Sequence, residues 1–175
     1  ERHIRYSDVR PIKSEISTEF NIEGYPSDSF LKLIEEVRPA QVTLVPDGPD
    51  ALTSNAGWDT KSNKSLLISV ISKIRSMGIR TSLFVDPETD MINHAAKAGA
   101  DRVELYTEAY ATDFYRNKEI AVKKYLEAAE VAKECNLGLN AGHDLNLDNL
   151  EFFNKTIPWM DEVSIGHALI ADALY

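Results

Sequence analysis

The sequence predicts an α/β fold, a (β/α)8 TIM barrel, and three observations predict it. Strand-like and helix-like segments alternate without a break from residue 17 to the C-terminal tyrosine. The strand-like segments are apolar almost throughout, as expected where helices cover a parallel sheet. Polar groups gather at the ends of successive strands, the face on which barrels carry their sites. This favours a barrel over an open doubly wound sheet. No G-x-G-x-x-G follows a strand and no G-x-x-x-x-G-K-[ST] occurs, so a dinucleotide fold or a P-loop loses support.

The elements follow in order. "STEFNIE" (17–23) reads as a strand. "SDSFLKLIEEV" (27–37) places Phe30, Leu31, Ile34 and Val37 on one helical face, and Pro39 stops it. "AQVTLVP" (40–46) is the next strand. A loop rich in Gly, Pro, Asn and Asp runs from Pro46 to Lys64 and is long enough to serve as a lid. "SLLISVISKIRSMG" (65–78) is helical and ends at Gly78, and "IRTSLFVD" (79–86) is a strand. Asp86-Pro87-Glu88 reads as a cap, a first-turn proline and a first-turn acid of a helix ending at Gly99. "DRVELYT" (101–107) is a strand and, after a loop, 118–135 is a helix. "LGLNAG" (137–142) is a strand, 147–155 a short helix and "DEVSIGH" (161–167) a strand, and "ALIADALY" opens a last helix. Six β-α units are thus visible. A barrel needs eight strands in about 250 residues. Residues 1–175 are therefore expected to be a single barrel domain that lacks its first two strands and part of its last helix.

The strand ends carry Glu23, Glu104, Asn140, His143, Gly166 and His167. A carboxylate such as Glu23 in an enclosed site is a candidate general base. Glu104 lies between Val103 and Leu105, which would face helices, so it would face inward, where an acid is costly unless paired or functional. His143 follows Ala-Gly, so the backbone can turn sharply beneath a group that titrates near neutral pH. Gly166-His167 opens a helix after the last strand, a place where barrels bind phosphate. Asp86 and Cys135 have structural explanations, as a cap and a packing residue. No lysine falls at the inward end of a strand, which argues against a Schiff-base aldolase. The strand-end acids and histidines leave open a metal-dependent isomerase or lyase acting on a sugar phosphate, or a truncated barrel without activity.

Composition limits the partners. A net charge of −9 argues against a nucleic-acid surface, no apolar run approaches a membrane span, and one cysteine fits a reducing compartment.

The segments "FNIEGYP", "TLVPDGPDALTSNAGWD", "SLFVDP", "AGADRVELYTEAYA", "LGLNAGHDLN" and "SIGHALI" occur in an order and at spacings that resemble the pyridoxine 5'-phosphate synthase family across essentially the whole chain. The resemblance implies a cytoplasmic homo-oligomer, an octamer in the family, that needs no metal or organic cofactor. It implies small phosphorylated substrates: 1-deoxy-D-xylulose 5-phosphate and 3-amino-2-oxopropyl phosphate, condensed in vitamin B6 biosynthesis. It assigns Glu23 as catalytic base, His143 as catalytic acid and Glu104 as a charge stabiliser during ring formation. It places His3 and Thr53 against the deoxyxylulose phosphate, and Gly166, His167 and, more weakly, Asp144 against the aminoketone phosphate. The family's strand with an asparagine and an aspartate-histidine pair, and its further histidine and arginines, have no counterpart here.

Overall fold

The computed structural model describes residues 4–48 and 55–175. Six strands form one parallel sheet in sequential order: β1 (Asn21–Gly24), β2 (Gln41–Leu44), β3 (Arg80–Val85), β4 (Arg102–Tyr106), β5 (Gly138–Gly142) and β6 (Glu162–Ser164). The helices are α1 (Tyr6–Glu15), α2 (Asp28–Val37), α3 (Lys64–Ser76), α4 (Thr89–Ala98), α5 (Glu108–Glu134), α6 (Leu150–Thr156) and α7 (His167–Leu174). Sequential parallel pairing builds the sheet in one direction, with β1 and β6 as its edges.

The sheet is curled. Gln41 Nε2 on β2 donates to Glu162 Oε2 on β6 at 3.4 Å. Strands of a flat sheet lie about 4.8 Å apart, so four strand steps would separate these backbones by about 19 Å. Only an arc brings two such side chains together. The result is a curled half-barrel.

Side chains alternate strictly between the two faces of the arc. Val42, Leu44, Leu83, Val103 and Leu105 are fully buried in the core that the sheet forms with Ile34, Leu67, Ile74, Tyr125 and Phe153 of the helices. The inner row is polar, which corrects the expectation of strands apolar throughout: Gln41, Thr43, Ser82, Glu104 and Asn140 are buried there. At the N-terminal ends of the strands this row forms a charged floor. Arg80 Nε donates to Gln41 Oε1 at 2.7 Å and Arg102 Nη1 donates to Asn140 Oδ1 at 2.8 Å, while Glu162 accepts from Asn140 Nδ2 at 3.2 Å. These partners offset the desolvation cost of the buried polar groups. Aromatic and aliphatic groups, Val45, Phe84 and Tyr106, line the opposite, C-terminal end.

Three local expectations change. The segment 108–116 is helical, not a loop, and joins the following helix at Asn117, whose φ of −162° breaks α5. α1, unread in the sequence, packs Val9 against Leu33 and Val37 of α2 despite Pro11 in its middle. Asp86 caps no helix, because α4 begins at Thr89 after an extended Glu88. The Asp86 carboxylate instead accepts from the Gly57 N–H at 3.1 Å. Gly57 is pressed onto the end of β3, where a Cβ would meet Val85 Cα at 2.4 Å.

Candidate active site at the C-terminal ends of the strands

β1 presents Glu23 to the inside of the arc because its neighbour Gly24 is pressed against α2. A Cβ on Gly24 would sit 2.3 Å from the Phe30 ring, so that face is the outer one. Ser27 fixes α2 there by accepting from the Phe30 N–H at 3.2 Å. Glu23 itself is exposed at the sheet edge. Asn21, two residues earlier, donates to Thr43 Oγ1 at 3.1 Å on the same inner face.

Glu104 projects from β4 into the middle of the arc and is 2% exposed. Burial is the main cause that raises its pKa to about 8, and the negative charge of Glu23 raises it further, while the hydroxyls of Ser164 and Thr43 partly oppose the rise. Its Oε2 is buried without a hydrogen-bond partner among the described residues. Near neutral pH Glu104 is therefore a neutral acid able to donate a proton, aligned toward a second carboxylate. Two carboxyl groups held in such different surroundings can divide acid and base roles between them. Gly142 on the paired strand β5 makes the space: a Cβ there would lie 2.3 Å from Glu104 Oε1.

β5 ends in a sharp turn. His143 has φ of 87° and Asp144 φ of 60°. In an extended strand His143 would follow inward-facing Gly142 and point outward. The left-handed turn redirects its ring toward the mouth of the arc, where it meets Tyr106 edge-on at 4.9 Å between centroids. Tyr106 in turn lies 5.2 Å from Phe84. His143 Nδ1 donates to Asp144 Oδ2 at 2.9 Å. That bond selects the tautomer in which Nε2 is the other, basic nitrogen, an arrangement suited to proton transfer. The Asp144 carboxylate is thus engaged by the imidazole. Burial, with a hydrogen bond donated to Glu108 Oε2 at 2.9 Å, pushes the Tyr106 hydroxyl up, so it stays neutral.

Gly166 and His167 follow β6 at the start of α7, where Gly166 occupies the N-cap position. Both are exposed, at the start of a helix, the kind of position where backbone N–H groups meet anions. His3 and Thr53 lie outside the described residues. Glu23, His143 and Gly166 sit toward or just beyond the C-terminal ends of their strands, and Glu104 projects from the middle of β4. Asn140, another of the residues read as lying at strand ends, belongs to the floor beneath Glu104 through Arg102 and Glu162.

The loop between β2 and α3 is anchored over this end. Trp58 Nε1 donates to the Leu44 carbonyl at 3.0 Å, its N–H donates to Phe84 O at 2.8 Å, and its ring stacks with Tyr25 at 6.1 Å. Gly57 and Trp58 are therefore fixed to the ends of β2 and β3, and the part of the expected lid that carries Thr53 lies outside the described residues. Sequence reading gave no role to Trp58, Thr107 or Asn149, all buried near the mouth. Their contacts join residues far apart in the chain, and only the Trp-Asp dipeptide after a turn-rich loop could have drawn attention to the first.

Among the described residues no group of three or more His, Cys, Asp or Glu stands close enough to hold a metal ion, and no helix is long and apolar enough to cross a membrane.

Comparison with known proteins agrees with this architecture. Solved structures of a phosphoribosylanthranilate isomerase from Thermotoga maritima (TM-score 0.57, 14% identity, 92% of this chain and 68% of that one) and of a protein described as copper homeostasis protein CutC from Streptococcus agalactiae (TM-score 0.60, 14% identity, 91% and 79%) share the fold. A pyridoxine 5'-phosphate synthase from Cytophaga hutchinsonii is 61% identical over all 175 residues, which span 74% of its length. That of Bacteroides thetaiotaomicron is 59% identical over the same span. The profile of the family "Pyridoxal phosphate biosynthesis protein PdxJ" matches residues 1–175. The chain belongs to the PdxJ family, whose curated relatives are pyridoxine 5'-phosphate synthases.

Proposed function

We propose that the chain is a pyridoxine 5'-phosphate synthase, a transferase that condenses 1-deoxy-D-xylulose 5-phosphate with 3-amino-2-oxopropyl phosphate to form pyridoxine 5'-phosphate, with loss of phosphate and water. One observation carries the geometric side of this reading. A buried, protonated Glu104 faces the charge of Glu23 inside an arc whose mouth holds the His143–Asp144 pair. The six units then form part of a (β/α)8 barrel, in a cytoplasmic homo-oligomer.

The chemistry needs proton donors and acceptors on separate walls of one cavity. An amine adds to a ketone and water leaves; phosphate is then eliminated and the ring closes. Glu23, on β1, is the base that removes protons from carbon or nitrogen. His143, at the end of β5, takes up a proton at Nε2 when the substrate loses one and passes it to the leaving oxygen, while Asp144 holds Nδ1–H. Glu104, neutral at rest, hydrogen-bonds to developing negative charge and so lowers the barrier without moving. The N–H groups at Gly166 and His167 hold the aminoketone phosphate, and His3 and Thr53 contact the other substrate. Both phosphates thus bind through local donors although the chain carries net charge −9.

The test is turnover of the two substrates by His143→Asn and Glu23→Gln. Each is expected to lose roughly 10²-fold or more in kcat while the melting temperature stays near that of the wild type. Turnover by either variant within a few-fold of wild type removes the corresponding residue from the mechanism.

A further inference from the structure

The turn that carries His143 is unfavourable by itself. Left-handed backbone is strained for a residue with a Cβ, and here two occur in succession. Such conformations persist where surrounding groups over-determine them. Two buried side chains do so. Thr107, fully buried, stands opposite Gly142: its N–H donates to Gly142 O at 2.9 Å, and its hydroxyl proton is shared between Gly142 O at 2.7 Å and His143 O. Asn149, also fully buried, donates from Nδ2 to Asp144 O at 3.1 Å and accepts at Oδ1 from the Asn146 N–H at 2.9 Å. Three consecutive carbonyls, 142 to 144, are therefore each held by a buried side chain.

Both residues occupy helix N-cap positions, Thr107 of α5 and Asn149 of α6, and neither side chain caps its helix. Thr and Asn at such positions ordinarily accept from the first-turn N–H groups and stabilise the helix. Here that stabilisation is forgone at two helices, and both side chains turn to the same three-residue segment. The scaffold behind them is rigid as well. Tyr125 donates its hydroxyl to Tyr106 O at 3.0 Å and accepts from the Tyr110 N–H, and Tyr110 donates to Asn149 O at 2.7 Å.

We propose that Thr107 and Asn149 are positioning residues that hold the left-handed turn at 142–144 and thereby aim the His143 ring at the reacting atoms. The inference rests on the reading of His143 as a proton-transfer group. A misplacement of about 1 Å in such a group costs up to about 10²-fold in rate.

The experiment compares Thr107→Val, which keeps shape and removes the donor, with Thr107→Ser, which keeps the hydroxyl, and with Asn149→Asp, which keeps the acceptor and removes the donor to Asp144 O. Each is measured for kcat and for KM of both substrates, alone and in the His143→Asn background, and, with His143 present, by carbon-13 NMR of its ring. Thr107→Val and Asn149→Asp should each lower kcat roughly tenfold or more, with KM within about twofold and a shifted His143 resonance. Thr107→Ser should restore most of the rate. In His143→Asn neither change should lower kcat further, because both act through the missing ring. Wild-type kcat in Thr107→Val overturns the proposal, as do equal losses in Val and Ser or multiplicative losses with His143→Asn. If Thr107→Val does not fold, Asn149→Asp decides, and an unchanged kcat there overturns it. Loss of activity in His143→Asn with full activity in both clamp variants sinks the clamp alone. Full activity in His143→Asn sinks the clamp and the catalytic reading together.

Discussion

Replacing Glu104 by glutamine tests the electrostatics of the cavity without reference to turnover. The folded-state pKa is raised from 4.5 to about 8. Between those values the folded protein holds a proton that the unfolded chain has released, so stability attributable to this group is full below the lower value and falls as pH rises through the window. A glutamine side chain at this position has nearly the shape of the neutral acid and does not titrate. At about 1.4 kcal/mol per pH unit, the stability of Glu104→Gln relative to wild type should rise by up to about 3 kcal/mol between about pH 5.5 and about pH 8.5. Taking the difference between the two proteins cancels the titrating groups that do not interact with Glu104. The assay is urea unfolding at several pH values, with the midpoint and slope fitted at each. The buried Oε2 without a partner among the described residues, at 2% residue exposure, is the structural source of the effect. A stability difference that stays flat across this window would refute the neutral, desolvated carboxyl, and with it the division of roles between Glu104 and Glu23.

Two further outcomes follow from contacts around the cavity. Gly142→Ala puts a Cβ 2.3 Å from Glu104 Oε1, so it should cost about 1–3 kcal/mol in thermal stability and lower kcat by displacing the carboxyl. Trp58→Phe leaves the buried Leu44 carbonyl without its side-chain donor, which should cost about 1–2 kcal/mol and speed proteolytic cutting between Pro46 and Thr60.

Much of this architecture was legible because its signals are local. Each of the six strands is bounded by turn residues or by a helix with a clear apolar face, and all six overlap the segments the pattern gave them, although β1 begins only at Asn21 and β6 is confined to Glu162–Ser164. What escaped depended on partners distant in the chain. Asp86-Pro87-Glu88 has the composition of a cap, yet its carboxylate is drawn to a glycine N–H 29 residues away. The segment after Thr107 looked like a loop because Thr107 gives its side chain to Gly142 and His143, and Asn117 interrupts the period. The inner row looked apolar because its polar members are spaced singly among valines and leucines. Glu23, Glu104 and His143 could be picked out as strand-end groups, and the structure brings Glu104 and His143 into one arc with Glu23 on its rim. The pairing of Asp144 with His143 requires two left-handed residues in a row, and no sequence pattern announces that.

The alternation of the arc also bears on how the chain finds its native state. A slip of one residue in any strand would exchange the two faces, sending Arg102 and Glu104 against Leu67 or Tyr125 and turning leucines toward the cavity. Burying a bare charge among helices costs far more than a misplaced apolar group, so wrong registers are strongly disfavoured. The chord from Gln41 to Glu162 closes only when β2 to β6 have all taken their correct offsets. Groups that equip the interior for polar chemistry thereby act as a proofreading device for the sheet, and each strand added beside its predecessor is checked as it docks.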